Sequence, residues 1–359
     1  MSGVTADHRH PPRVVVLGGS GFLGGHVCAA FRRGGYDVLS IARRPASAAC
    51  SVALDIAAAT PAALLDTVAA AGPVIVVNAV GAVWSGDEVR MVRLNTDLVE
   101  RLLEVVERLE HRPRFVHLGS VHEYGAAEGG ILTEDGPTFP TTVYGRTKLR
   151  GSEAVLAATA AGRVDGVVLR VSNALGADMP GNSLPGTVAR QLADARRTGA
   201  PAALRLSPLV AERDFVDVRD VADAVVLAGQ RPVAGWLINI AAGTAVPVRT
   251  VVELLIRMSG VGARVVRSAG PGDGQGSRGG WDGRQQVSVA RAATLLGWHP
   301  RRSLRDALRE VLSSAGAAPE RRASNPAPQV FEGPASGWAE TTPGDRARAS
   351  ARLPEELQT

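Results

Sequence analysis

The sequence predicts an α/β protein: a Rossmann-type doubly wound parallel sheet with a smaller, partly interleaved C-terminal substrate domain. Three observations predict it. Short continuous apolar runs alternate with stretches of helical spacing from residue 13 to residue 170. A glycine-rich turn directly follows the first apolar run and opens the first helix. The 359 residues, 45% of them hydrophobic, suffice for one large domain or two that share a core.

Each element follows from its pattern. RVVVLG at 13–18 is apolar without alternation and ends in glycine, as a strand covered on both faces does. Residues 22–33 have helical spacing, and YDVLSIA at 36–42 is a second strand. A helix over 61–71, a strand VIVV at 74–77 and a long helix over 89–109 come next. A strand RFVHL at 114–118, a helix over 145–161 and a strand over 166–169 complete the alternation. Beyond residue 171 the pattern loosens. Helices are expected over 186–197, 218–228, 248–259, 289–296 and 303–313, and a mobile glycine-rich loop over 270–283. The chain is thus read as a flexible tail (1–12), a nucleotide-binding domain (13–170), a substrate-binding region partly interleaved with the sheet (171–314) and a disordered tail (315–359). That last segment is rich in Pro, Ala, Arg and Glu and has too little apolar surface to order itself.

Composition excludes several classes. No apolar run reaches membrane-span length, since 57–84 is broken by Asp66, Pro73 and Asn78. The N-terminus has no apolar core of a secretion signal. Cys28 and Cys50 have no metal-ligand spacing and no disulfide framework, so no metal and a cytoplasmic location are expected. The net charge of +5 raises nucleic acid as a partner, but the arginines are scattered and not interleaved with aromatics. An anionic small substrate or cofactor accounts for the same surplus. All but one of the 40 basic residues are arginine, and the single lysine is Lys148. It marks a place where a compact ammonium is required, or it survives by chance.

Two motifs carry the chemistry. Gly18-Gly19-Ser20-Gly21-Phe22-Leu23-Gly24 lies between strand and helix, where glycines let backbone N–H groups approach a pyrophosphate. At the end of the second strand, where NAD enzymes place an acid for the ribose 2′-hydroxyl, stand Ala42, Arg43 and Arg44. Two guanidiniums suit a 2′-phosphate, so NADP(H) is favoured with NAD(H) as the alternative. The same pair reads otherwise as two solvated surface arginines. Asp55 and Ile56 are a weaker expectation near the adenine. The second motif is Tyr144-Gly145-Arg146-Thr147-Lys148 with Ser120 upstream. Tyr144 and Lys148 share one helix face. A phenol is a poor acid–base group at neutral pH, and a neighbouring ammonium is expected to lower its pKa. Ser120, at a strand end, could hydrogen-bond the same substrate oxygen.

The ordered set GGSGFLG, LD, VVNAVG, Asn95, FVHLGSVHEYG, YGRTK, LRVSNALG, RDFVDVRDVADA and LLGWHP resembles the extended short-chain dehydrogenases/reductases that act on nucleotide sugars. The resemblance runs from Arg13 to Leu312. It implies that Asn78, Ala79, Val80 and Gly81 line the cofactor and that Asn95 supports the catalytic segment. It implies a catalytic triad of Ser120, Tyr144 and Lys148. Asn173, Arg213 and Arg278 fall where the family contacts the substrate diphosphate, and His122 and Glu123 where the sugar pocket is shaped. His122 reads otherwise as a structural loop histidine. It also implies a homodimer built on helices near 94–109 and 145–161. The family's dehydratases carry an adjacent acid pair where this chain has Ser120-Val121-His122, so dehydration is disfavoured, with Glu123 displaced by one residue. Gly119 replaces a common serine, with little consequence expected, and Ser288 replaces an aspartate.

The resulting expectation is NADPH-dependent reduction of the 4-keto group of a dTDP-4-keto-6-deoxyhexose, in deoxysugar assembly for an antibiotic-like natural product. Three alternatives stay open. One is a 4-epimerase or dehydratase with retained NAD, another a reductase of a different small ketone, and the third a non-catalytic NADPH sensor.

Overall fold

Val14, Val15, Val16 and Leu17 have no solvent exposure at all, because the strand they form lies mid-sheet with helices on both faces. The computed structural model describes residues 11–44, 50–82, 87–125, 130–267 and 283–317. Its strands are β1 (Arg13–Leu17), β2 (Asp37–Ala42), β3 (Ser51–Ala53), β4 (Ile75–Asn78), β5 (Arg114–Ser120), β6 (Ile131–Leu132) and β7 (Asp165–Val171). They continue with β8 (Asn173–Leu175), β9 (Ala202–Leu206), β10 (Glu212–Asp217), β11 (Leu237–Ile240), β12 (Ala245–Pro247), β13 (Ala263–Arg267) and β14 (Gln286–Val287). The helices are α1 (Phe22–Arg33), α2 (Pro61–Ala69), α3 (Glu88–Val92), α4 (Leu98–Glu107), α5 (Val143–Ala160), α6 (Leu184–Thr198), α7 (Val218–Gln230), α8 (Val248–Ser259), α9 (Ala290–Leu296) and α10 (Leu304–Ala317).

The main sheet is seven-stranded in the order β11-β7-β5-β4-β1-β2-β3, and every pairing is parallel. The order reverses between β1 and β4. That is the doubly wound topology, and it opens a crevice at the carboxyl ends of those two strands. One face of the sheet is covered by α1 and α7, where Val27, Phe31, Val221 and Val225 pack. The other is covered by α2, α4 and α5, where Leu64, Leu102, Val106 and Val155 pack. A third core lies in the C-terminal half, with Leu192 of α6, Leu255 of α8 and Leu308 of α10. The α/β reading from sequence is therefore what the molecule has.

Four details differ from the sequence expectation. The long helix expected over 89–109 is interrupted, because Arg93–Asp97 forms a π-helical turn between α3 and α4. Helix α5 starts at Val143, two residues early, because Thr142 caps it by accepting the Gly145 N–H at 3.0 Å. The sheet recruits β11, a four-residue run (LINI) too short to stand out by periodicity. Helix α10 runs on to Ala317, so 315–317 are ordered rather than part of a tail. The remainder of that tail, residues 1–10 and most of the 270–283 segment lie outside the described residues.

Candidate active site

The site is built at the carboxyl ends of β1, β4 and β5. Gly18 leaves β1 with φ +79° while its N–H donates to the Ile41 carbonyl at 2.8 Å. A Cβ there would lie 3.0 Å from the Ala79 carbonyl oxygen, and a Cβ on Gly24 would collide with the Gly18 carbonyl. The turn therefore closes only with glycine at both positions. No side chain caps the N-terminus of α1, whose first residues Phe22 and Leu23 follow directly on Ser20 and Gly21. A glycine turn too tight for a side chain, beside an uncapped helix start, suits the approach of a pyrophosphate.

Around this turn the expected cofactor residues take distinct positions. Arg43 and Arg44 are exposed at the end of β2. Asp55 accepts the Ala57 and Ala58 N–H groups at 3.1 and 3.4 Å, so its carboxylate closes its own turn, and Ile56 is buried behind it. Asn78 is wholly buried. Its Oδ1 accepts the Val80 N–H at 3.1 Å and its amide lies 3.1 Å from His117 Nδ1, which shapes the Ala79–Val80–Gly81 loop. Asn95 sits in the π-helical turn and reaches out in two directions. Its Oδ1 accepts the Ala82 N–H at 3.0 Å, and its Nδ2 donates to the Ala82 carbonyl and to Thr147 Oγ1, each at 3.1 Å. It thereby ties the loop after β4 to the turn of α5 between Tyr144 and Lys148.

Ser120, Tyr144 and Lys148 converge. Ser120 ends β5, and its hydroxyl hydrogen-bonds Tyr144 and accepts the His122 N–H at 3.3 Å. Lys148 is buried one helical turn beyond Tyr144 and donates to the Leu118 carbonyl at 2.5 Å. Burial pushes the Tyr144 phenol up to about 12; the Ser120 bond opposes this and the Glu123 charge adds to it. Burial pulls Lys148 down to about 8, with Glu123 opposing. The sequence expectation of a lowered phenol pKa is thus corrected in direction: loss of hydration is the largest influence, and it raises the value.

The pocket residues separate into two groups. His122 packs edge-on against Tyr144, with ring centroids 5.6 Å apart and planes at 69°. Burial, and then the Arg213 charge, lower its pKa to about 4, so it is a neutral imidazole at neutral pH. Arg213 on β10 donates to the Glu212 and Gly283 carbonyls at 2.9 and 2.8 Å. Asn173 on the adjacent β8 donates to the Asp214 carbonyl and to Gln285 Oε1 at 2.8 and 2.9 Å. His122 and Arg213 join the Tyr144 side of the site. Glu123 does not reach the pocket, which corrects its assignment to the substrate. It is wholly buried, and its carboxylate accepts from Ser120 N, Ser152 Oγ and Arg170 Nε. Arg278 lies outside the described residues. Gln285, Ser152 and Arg170 were missed from sequence, and only their packing reveals them. Among the described residues no three His, Cys, Asp or Glu side chains gather as a metal site, and no helix is long and apolar enough to cross a membrane.

The sequence pattern of the NAD dependent epimerase/dehydratase family matches residues 14–241. The chain belongs to that family. As a member it is an NAD(P)-using enzyme. The chain is 43% identical over 320 residues to the dTDP-6-deoxy-L-talose 4-dehydrogenase (NAD(P)(+)) of Kitasatospora kifunensis, covering 88% of this chain and 99% of that protein. It is 33% identical to the UDP-glucose 4-epimerase of Azospirillum brasilense, over 69% of this chain and 78% of that one. The fold also matches RMD from Pseudomonas aeruginosa complexed with NADPH, with a TM-score of 0.71 and 22% identity, over 86% of this chain and all of the other.

Proposed function

We propose that this chain is an NADPH-dependent nucleotide-sugar 4-ketoreductase, acting on a dTDP-linked 4-keto-6-deoxyhexose. The observation that carries the reading is the convergence of Ser120, Tyr144 and Lys148 at the end of β5, with His122 against Tyr144 and the Arg213 charge acting on His122. Residues Gly18 to Gly24 would hold the cofactor's pyrophosphate, Arg43 and Arg44 a 2′-phosphate, and Lys148 the nicotinamide ribose. The nicotinamide, when bound, supplies hydride chemistry. The protein's own part is proton transfer and charge. Tyr144 is neutral at neutral pH and donates its proton to the C4 oxygen. Ser120 hydrogen-bonds that oxygen and so polarises the carbonyl. Arg213 presents a guanidinium to the diphosphate, and neutral His122 packs beside the sugar without adding charge.

Two facts support reduction over the family's other chemistries. The relative at 43% identity is a 4-dehydrogenase using NAD(P)(+), and reversal of a C4 alcohol oxidation is a C4 ketone reduction. A dehydratase needs a free acid near Ser120, whereas Glu123 is committed to Ser120, Ser152 and Arg170. The test is consumption of NADPH, with NADH in parallel, on dTDP-4-keto-6-deoxyglucose. Wild type should consume NADPH, and Tyr144→Phe should lose roughly 10²–10⁴-fold in rate while still binding NADPH by fluorescence titration. No consumption, with NAD retained through purification, would overturn the reading in favour of an epimerase. A homodimer on α4 and α5 belongs to the same proposal and is checked by sedimentation.

A further inference from the structure

We propose that Glu123 is a positioning residue for the Ser120–Tyr144–Lys148 cluster: its buried carboxylate, paired with Arg170, holds the end of β5 through the Ser120 N–H and presents a fixed negative charge to the Tyr144 phenol and the Lys148 ammonium. The inference rests on the reading of Tyr144 as the proton-transfer group.

The geometry is specific. Glu123 Oε1 accepts the Ser120 N–H at 2.7 Å and the Ser152 hydroxyl at 2.9 Å, while Oε2 accepts Arg170 Nε at 2.6 Å. Neither member of the ion pair is open to solvent: the side-chain exposures are 0% for Glu123 and 5% for Arg170. The Glu123 side chain also caps its own 3₁₀ turn, Val121–Glu123, in a reciprocal arrangement with Ser120. Room for the carboxylate comes from Gly119, where a Cβ would stand 2.7 Å from Oε1 and 3.0 Å from Ser152 Oγ. The glycine that replaces a common serine is therefore coupled to the glutamate, and its presence is of consequence after all.

The groups around Glu123 come from α5, from β7 and from the segment at Tyr124 that packs on β11. From α5, Tyr144, Lys148 and Ser152 follow at four-residue intervals on one face, and Ser152 bonds Glu123 directly, so the carboxylate lies on the side of the helix that carries the other two. From β7 comes Arg170, whose guanidinium also lies 4.5 Å from the Tyr124 ring centroid. Tyr124 in turn donates to Asn239 of β11 at 2.7 Å, whose N–H is held by Glu134. A fixed anion beside a phenol opposes formation of the phenolate and favours the neutral donor. Ketone reduction uses that form and alcohol oxidation the other, so the carboxylate is expected to hold the Tyr144-dependent pH limb of both directions at higher pH.

The experiment is a pair of pH–rate profiles, for reduction and oxidation, of wild type, Glu123→Gln and Glu123→Asp. It is run with ¹³C NMR titration of the chain's three tyrosines, with Tyr144 assigned through Tyr144→Phe. Glu123→Gln is expected to move the Tyr144-dependent limb of both profiles about one pH unit lower, with KM for the nucleotide sugar changed by less than about twofold. A lowered kcat or melting temperature with the limb in place would overturn the proposal, since a purely structural carboxylate predicts that result. Glu123→Gln leaves Arg170 unpaired and could fail to fold, which is why Glu123→Asp is included. That variant keeps the charge but shortens the reach to Ser120, so kcat should fall about tenfold with the limb unmoved. An undiminished kcat would count against the proposal. If wild type turns over no nucleotide sugar, the ketoreductase reading fails by itself. The NMR titration then decides Glu123 alone: an earlier ionisation of Tyr144 in Glu123→Gln supports it, and an unchanged one overturns it.

Discussion

Asp214 follows Arg213 in the sequence and has a separate task. It is wholly buried and gathers three segments: Oδ1 accepts the Ala242 N–H at 2.7 Å and the Ser172 hydroxyl at 3.4 Å, and Oδ2 accepts the Val287 N–H at 3.4 Å. Burial raises its pKa to about 6 against these bonds. The sign follows from linkage. With the folded pKa above the unfolded one, the folded state binds more protons between about pH 4 and 6. The proton-linked stability is full below that window and is lost as pH rises through it. The stability difference between wild type and Asp214→Asn should therefore shrink from pH 4 to pH 6 and stay flat above, as measured by urea unfolding. A difference that grows with pH would contradict this. At the same scale, the meeting of Ser120, Tyr144 and Lys148 could be anticipated from the sequence, because residue type, spacing on one helix face and a strand end suffice to suggest it. Glu123 was not, because its role depends on Arg170, Ser152 and Gly119, which only folding assembles.

Helix α5 and the π-helical turn at Arg93–Asp97 form one device. Gly151 lets the two approach so closely that a Cβ would collide with the Asn95 carbonyl oxygen. Thr96 Oγ1 donates to the Thr147 carbonyl at 3.1 Å, and Asn95 bonds the Thr147 side chain. The backbone of α5 is thus fixed one residue before Lys148. Helix propensity alone would make Gly151→Ala stabilising by about 0.5–1 kcal/mol. The backbone contact reverses that sign, and the variant should lose about 1–3 kcal/mol. Tyr144 and Lys148 would shift with the helix, so kcat should drop about tenfold. Thermal melts and initial rates check both numbers, and a raised melting temperature would refute the contact. Periodicity indicated a helix over 89–109, and it could not reveal the wide turn, whose cause is the packing of another helix.

The RDFVDVRD segment joins the C-terminal half of the molecule to the sheet. Asp217 caps α7 by accepting the Arg219 N–H at 2.8 Å. Asp220 is buried, and it accepts the Arg301 and Arg302 N–H groups at 3.0 and 2.9 Å and the Arg302 guanidinium at 2.5 Å. Trp298 Nε1 donates to the Asp220 carbonyl at 3.0 Å. These bonds anchor the approach to α10, which contributes Ala307, Leu308 and Val311 to the third core. Asp220→Asn should cost about 2–4 kcal/mol in urea unfolding. The rate per folded molecule should stay near wild type, because none of these groups touches the Ser120 cluster. A rate loss without a stability loss would mean that the segment acts on catalysis directly.

The sequence by itself determined the doubly wound sheet and the glycine-rich turn, and it pointed to Ser120, Tyr144 and Lys148, side chains that the fold brings together. These depend on local rules: burial on both faces gives unbroken apolar runs, a tight turn demands glycine, and acid–base chemistry demands particular side chains. The tertiary structure alone decided that β11 completes the sheet, that Glu123 turns inward to Arg170, and that His122 is neutral beside Arg213. Each of these depends on desolvation and on partners far apart in the chain. Charge and burial of that kind are properties of neighbours in space, which order along the chain does not encode.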